Sequence, residues 1–155
     1  MTRLAMVFCI ALMIGSFVAA DDKKDAKFDA AKLVGRWEYA SGKKAGEEVP
    51  KDHLVGVVTW TKDEIHIPAG PDQKFVMAYK INADKSPVQI DMEIKEGPAP
   101  AGSKASGIVA LDKDELKLCY VPEMGEKVER PEKFESTEKN KAFYFVMKRA
   151  KEKIK

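Results

Sequence analysis

Cysteine is nearly absent: the 155-residue chain has two, Cys9 and Cys119. Cys9 falls inside an N-terminal segment that reads as an export signal, so the rest of the chain holds one cysteine. It therefore has no internal disulfide, even in a compartment that permits one. Histidine is as scarce, with only His53 and His66. A metal site needs three or four converging ligands, and the sequence offers no such set, so no metal and no other cofactor is expected. Strong charge of one sign is missing too. The 27 Lys+Arg against 25 Asp+Glu leave a net charge of +2, which gives no basic footprint for nucleic acid. There is no internal repeat and no low-complexity segment.

What is present begins with a targeting pattern. Met1-Thr2-Arg3 supplies one positive charge, Leu4 to Ile14 is an unbroken run of 11 apolar residues, and Val18-Ala19-Ala20 places small residues ahead of Asp21. That is the layout of a signal peptide over residues 1–20. The run is too short for a spanning helix, which needs roughly 20 residues. Met6-Val7-Phe8 ahead of Cys9 lacks the small residues that lipid attachment requires. The expected product is exported, periplasmic or extracellular, with no stable membrane span after cleavage. Residues 21–27 form a charged leader, 28–150 one folded domain, and 151–155 a basic tail. With 45% apolar residues, a domain of this length buries roughly two-thirds of its unfolded surface and builds a core without covalent staples.

Residues 28–34 suit a short helical turn ending at Gly35, with Phe28, Ala31 and Leu33 facing inward. Beyond it the apolar period changes to two, the mark of strands with one buried face. Arg36–Tyr39 is the first strand, Leu54–Trp60 the second, and Ile65–Ile67 follows a turn at 61–64. The clearest alternations are Phe75, Met77, Tyr79 and Ile81, then Val88, Ile90, Met92 and Ile94, each interleaved with more polar neighbours. Gly107–Leu111 and Glu115–Tyr120 flank an Asp112-Lys113-Asp114 turn as a hairpin. Ala142–Arg149 closes the chain with Phe143, Phe145 and Met147 on one side. About eight strands joined by turns, without helices long enough for parallel crossovers, predict an antiparallel sheet. It either packs as a sandwich or closes on itself, and closure removes exposed edges.

Gly35-Arg36-Trp37, set after a helical turn and opening the first strand, resembles the G-x-W signature of the lipocalin-like (calycin) barrels. Arg149 stands where that family places a basic residue over the tryptophan at the closed end. The wider set of motifs is similar to the small planctomycete uncharacterised lipocalin-like domain: residues 32–37, Ser86–Asp91, Gly107–Asp112 with Leu116–Tyr120, Arg130–Phe134, and Lys148-Arg149. Val109 departs from that pattern, standing where an aromatic residue is more usual. The resemblance implies an all-β, eight-stranded antiparallel up-and-down barrel with a short N-terminal helical turn. Gly35, Trp37 and Arg149 would close it. It implies no activity, and fold by analogy is not function.

The strand parities place a bulky apolar stripe inside. An eight-stranded barrel is either filled by such side chains or holds one small ligand. For the ligand reading, the interior or mouth candidates are Tyr39, Phe75, Met77, Tyr79, Met92, Tyr120, Arg130 and Phe145. Thioethers repack around varied apolar shapes, and buried tyrosine hydroxyls need partners. Arg130-Pro131 with Phe134 sits in the long charged stretch 121–140, which either folds over the barrel mouth or only orders a connection. His53 and His66 read as surface residues. Cys119, out of phase with Leu118 and Tyr120, has no adjacent base to activate it. Asp91 and Glu93 share a wet strand face, better explained by solvation than by acid–base chemistry. No catalytic residue is assigned. The expected function is a non-enzymatic binding module for a small apolar ligand, the alternative being a structural or protein-interaction module of the cell envelope with a filled barrel. The expected partner is accordingly an apolar small molecule or an envelope protein.

Overall fold

The computed structural model describes residues 27–125 and 128–151. The signal segment, nearly all of the charged leader and residues 152–155 of the basic tail lie outside the described residues. The described residues form nine strands in chain order: β1 (Gly35–Lys44), β2 (Glu47–Glu48), β3 (Val57–Trp60), β4 (Glu64–Pro68), β5 (Lys74–Asn82), β6 (Gln89–Glu96), β7 (Lys104–Asp112), β8 (Glu115–Pro122) and β9 (Phe143–Arg149). Every pairing is antiparallel, and β1 pairs with both β3 and β9. The sheet therefore closes as an eight-stranded up-and-down barrel, with the two-residue β2 attached to the end of β1. Among the described residues no helix is long and apolar enough to cross a membrane.

Alternation fixes which side of each strand is buried. Trp37, Trp60, Ile65, Met77, Tyr79, Ile90, Met92, Val109, Leu116, Leu118, Phe145 and Met147 form one buried cluster inside the barrel. Burying a side chain of this size contributes on the order of 1.5 to 3 kcal/mol, and this cluster supplies most of the driving force. Two irregularities adjust the register. One falls between Tyr39 and Ser41 in the β1–β9 pairing, the other between Val76 and Met77 in the β5–β6 pairing. A bulge of this kind adds a residue and bends the strand. After the first of them Gly42 is buried, and a Cβ there would lie 2.8 Å from the Phe145 ring.

The ends of the barrel differ. At the floor, a 3-10 turn over Ala30–Leu33 is capped by Asp29, whose side chain accepts from Ala31 N, and it buries Leu33 completely. Ala31, expected to face inward, is exposed, and Phe28 is half-buried: a 3-10 turn repeats every three residues, so only one residue per turn faces the barrel. At the mouth, Lys44 pairs with Phe143 and Tyr120 pairs with Phe143.

Three strands differ from the sequence reading by three residues or more at one end, among them β7, which begins at Lys104 rather than Gly107. β1 runs on to Lys44 rather than stopping at Tyr39, because the bulge breaks the alternation without ending the pairing. The second begins at Val57, not Leu54. The residues before it form a 3-10 turn, Lys51–His53, and Val49 and Leu54 fold back against the core.

Candidate functional site

The aromatic side chains gather at the mouth. Tyr39 and Phe145 have ring centroids 5.4 Å apart, Tyr120 and Phe143 also 5.4 Å, and Tyr120 stacks on Phe145 at 6.3 Å. The strands explain the grouping: Tyr39 ends the regular part of β1, Phe143 and Phe145 open β9, and Tyr120 lies near the end of β8, paired with Phe143. Gly107 makes room for Tyr120, since a Cβ at that position would lie 2.7 Å from the Tyr120 Cβ. Tyr39, Tyr120 and Phe143 remain half-buried, so solvent reaches this end of the interior. Lys44 Nζ stands over the Phe143 ring at 5.2 Å.

Burial pushes the Tyr39 phenol up to about 12, and the Tyr120 phenol is pushed up by burial and by neighbouring Tyr39. Both therefore stay protonated and neutral across the physiological range. Deeper in, Tyr79 packs edge-on to Trp60 at 5.1 Å, and its hydroxyl donates to Thr61 O at 2.7 Å. Met77, Met92 and Met147 belong to the same buried cluster.

Among the eight ligand-site candidates, six thus share the interior: Tyr39, Met77, Tyr79, Met92, Tyr120 and Phe145. Phe75 stands apart, half-buried with its ring against Gly97, where a Cβ would come within 2.5 Å of it. Arg130 lies on the outer wall. Its Nη1 donates to Ile90 O and Gly107 O, both at 2.8 Å, and its Nη2 donates to Asp91 Oδ1 at 2.6 Å.

The segment from Val128 to Ala142 is a strap across that outer wall that runs up to the turn between β1 and β2 at the mouth end, where Ser136 Oγ accepts from Gly46 N at 2.9 Å. Val128, Phe134 and Ala142 pack with Ile108, Cys119, Val121 and Tyr144 in a second apolar cluster. Pro131, also in the strap, is buried. Cys119 is enclosed there; its thiol donates to Glu135 O at 3.4 Å, and burial pushes it up to about 11. A thiol held that way is a poor nucleophile.

The floor is built by Gly35, Trp37 and Arg149. The Arg149 guanidinium lies 4.3 Å from the Trp37 ring, donates to Lys32 O at 2.8 Å and Val34 O at 3.4 Å, and meets Asp114 at 3.4 Å. Gly35 has φ +143°, and a Cβ on it would lie 2.6 Å from Arg149 Nη1.

The histidines are peripheral. His66 pairs with Glu64 at 3.0 Å on the β4 wall, and His53 lies in the exposed turn before β3, 4.0 Å from Asp52. Among the described residues no three His, Cys, Asp or Glu side chains are grouped to hold a metal ion.

Two features escape a reading of the sequence. Trp60 is 1% exposed, and its Nε1–H has no hydrogen-bond partner among the described residues. A cleft of about 300 Å³ crosses the outer faces of β5, β6 and β7 between Lys80, Asp91, Glu93, Lys104 and Glu123. The first had a partial signal, in that a tryptophan on an inward strand position carries a donor that must be met. The cleft depends on strand order and had none.

This arrangement defines a class, the closed antiparallel barrel with a capped floor and an aromatic mouth, compatible with the calycin type. Comparison of the chain with protein-family models, with curated proteins and with solved structures finds no match.

Proposed function

We propose that this protein is an exported, non-enzymatic lipocalin-like binding module, periplasmic or extracellular, that takes a small apolar ligand through the aromatic mouth of its barrel. The observation that carries the reading is the set of half-buried, inward-facing rings of Tyr39, Tyr120 and Phe143 around Phe145. Rings that pack on one another while staying open to solvent offer apolar area that a ligand removes from water, at about 25 cal/mol per Å². The residues deeper in are apolar, and three of them are methionines, which repack around different shapes. Export rests on the signal pattern of residues 1–20, and the narrower kinship with the planctomycete domain rests on the ordered motifs from Lys32 to Arg149. The non-enzymatic part of the reading is supported by Cys119, which is shielded and its thiol raised, with no other activated nucleophile among the described residues.

Purification from the host followed by mass spectrometry of extracted small molecules tests the carrier. Recovery of a recurrent apolar compound is expected. Repeatedly empty preparations that also fail to take up an apolar fluorescent probe would overturn it. A second reading has its own support, because the largest cluster of buried side chains occupies the barrel and the 300 Å³ cleft lies on the outer wall. On that reading the protein is a structural or protein-interaction module of the envelope, and crosslinking in the native envelope recovers one consistent partner.

A further inference from the structure

Polar atoms inside the barrel wall are few, and the others at its floor have partners. Trp37 Nε1 donates to Leu33 O at 2.8 Å, and the Tyr79 hydroxyl is bound by Thr61 O. Trp60 is the exception. Its ring lies in the same buried cluster as Met77, Met92 and Met147, and its Nε1–H meets no acceptor among the described residues. A buried donor without an acceptor forfeits the hydrogen bond that water gave it in the unfolded chain, which is why such groups are rare and call for a partner from outside the fold.

The surroundings specify that partner. An indole N–H donates only, so the incoming atom must be an acceptor. Among the described residues no charged side chain is buried. An ionised group would therefore enter without a counter-charge, at a large desolvation cost. The buried cluster that holds Trp60 is otherwise apolar apart from Trp37 Nε1 and the Tyr79 hydroxyl, which already donate to Leu33 O and Thr61 O. The acceptor therefore belongs to an otherwise apolar molecule, and the three flexible thioethers of the cluster give way to it. At the mouth end, burial keeps the Tyr39 and Tyr120 hydroxyls protonated. We infer that the ligand of this barrel is an uncharged apolar molecule carrying a carbonyl-type oxygen, and that the Nε1–H of Trp60 donates to that oxygen. This rests on the carrier reading of the preceding subsection.

Three matched probes test it on the full chain labelled with 15N: 2-acetylnaphthalene, its alkene counterpart 2-isopropenylnaphthalene, and the anion 2-naphthoate. The chain has two tryptophans, so two indole N–H signals report separately, and Trp60→Phe identifies which is which. The ketone is expected to bind about tenfold tighter than the alkene, a ratio worth about 1.4 kcal/mol. It should move the Trp60 signal downfield and leave that of Trp37 in place, while 2-naphthoate binds more weakly. Equal affinity for ketone and alkene with the Trp60 signal unmoved overturns the inference and leaves the carrier reading standing. Naphthoate binding as tightly as the ketone overturns the uncharged ligand. A water that stays on Nε1–H with the ketone bound overturns it as well. Failure of all three probes to bind removes the carrier reading and the inference together. Should Trp60→Phe not fold, the affinity ratio on the unaltered chain decides.

Discussion

The guanidinium of Arg149 lies 4.3 Å from the ring of Trp37, and the two residues are directly paired across β1 and β9. The first and last strands of the barrel are thus joined by a cation over an indole face. The Trp37 Nε1 and the Arg149 Nη2 then reach back to the carbonyls of Leu33 and Lys32 in the floor turn. One pair of side chains ties together three separate segments of the chain. Trp37 is fully buried, so Trp37→Ala removes core volume, the seat of Arg149 and the bond to Leu33 at once. The expected loss is about 3 to 5 kcal/mol. Chemical denaturation with a tryptophan-independent probe such as far-UV circular dichroism checks it, and unchanged stability would deny Trp37 its place at the floor.

Gly35 and Arg149 form a second, steric relationship. The glycine has φ +143°, in a region side chains rarely adopt, and a Cβ would lie 2.6 Å from Arg149 Nη1. Gly35→Ala must therefore strain the backbone and push the guanidinium off Trp37, with an expected cost of about 2 to 4 kcal/mol. Arg149→Met keeps an aliphatic stem on the ring but loses the cation and the carbonyl bonds, an expected cost of about 1 to 3 kcal/mol. Because both changes act on the same contact, the double variant should fall short of the sum of the single effects. Full additivity in denaturant titrations would show that Gly35 and Arg149 act independently.

Arg130 fastens the strap to the outer wall through two strand carbonyls and Asp91, while Phe134 packs near Cys119 in the cluster beneath. Removing the guanidinium leaves those carbonyls with their strand partners but frees the strap. Arg130→Met is expected to cost about 1.5 to 3 kcal/mol. It should also raise the rate of Cys119 modification by an alkylating reagent at least tenfold. Asp91→Asn, which weakens one exposed contact of the three, should do less of both. Unchanged labelling in Arg130→Met would mean that the strap is held by its apolar residues alone.

Much of this architecture is legible in the residues themselves. The alternations Met77-Tyr79, Ile90-Met92, Leu116-Leu118 and Phe145-Met147 point inward as their period requires, since neighbouring side chains of a strand must face opposite sides. The floor is legible too, because Gly35-Arg36-Trp37 and Arg149 sit at opposite ends of the chain and closure must bring those ends together. The extent of β1 is not. Its bulge near Ala40 shows only as a break in alternation, and the pairing that carries the strand on to Lys44 comes from β9. The destination of the strap is hidden for a similar reason. Arg130 bonds to backbone carbonyls 40 and 23 residues away, and every residue type offers the same carbonyl. The orphaned donor of Trp60 is a matter of which acceptors surround it, which no local pattern encodes.

The four tyrosines, 39, 79, 120 and 144, give the barrel a marked alkaline response. Each phenol is pushed above its ordinary value of 10.0, with burial the largest cause in every case, and Tyr39 reaches about 12. The Cys119 thiol is raised from 9.0 to about 11 by the same cause. For a group whose folded value lies above its unfolded one, the unfolded chain gives up its proton first as pH rises. The folded state then holds more protons, and stability falls with pH between the two values. The loss therefore starts near pH 9 with Cys119, steepens above pH 10 with the tyrosines, and continues toward pH 12. Absorbance at 295 nm should show well under half of the tyrosine ionised at pH 10, against half for the chain in denaturant. The remainder should appear together with loss of the far-UV signal as the barrel opens. If all four phenols ionise near pH 10 with the fold intact, Tyr39 and Tyr120 are open to bulk water and the mouth is a wide, wet channel.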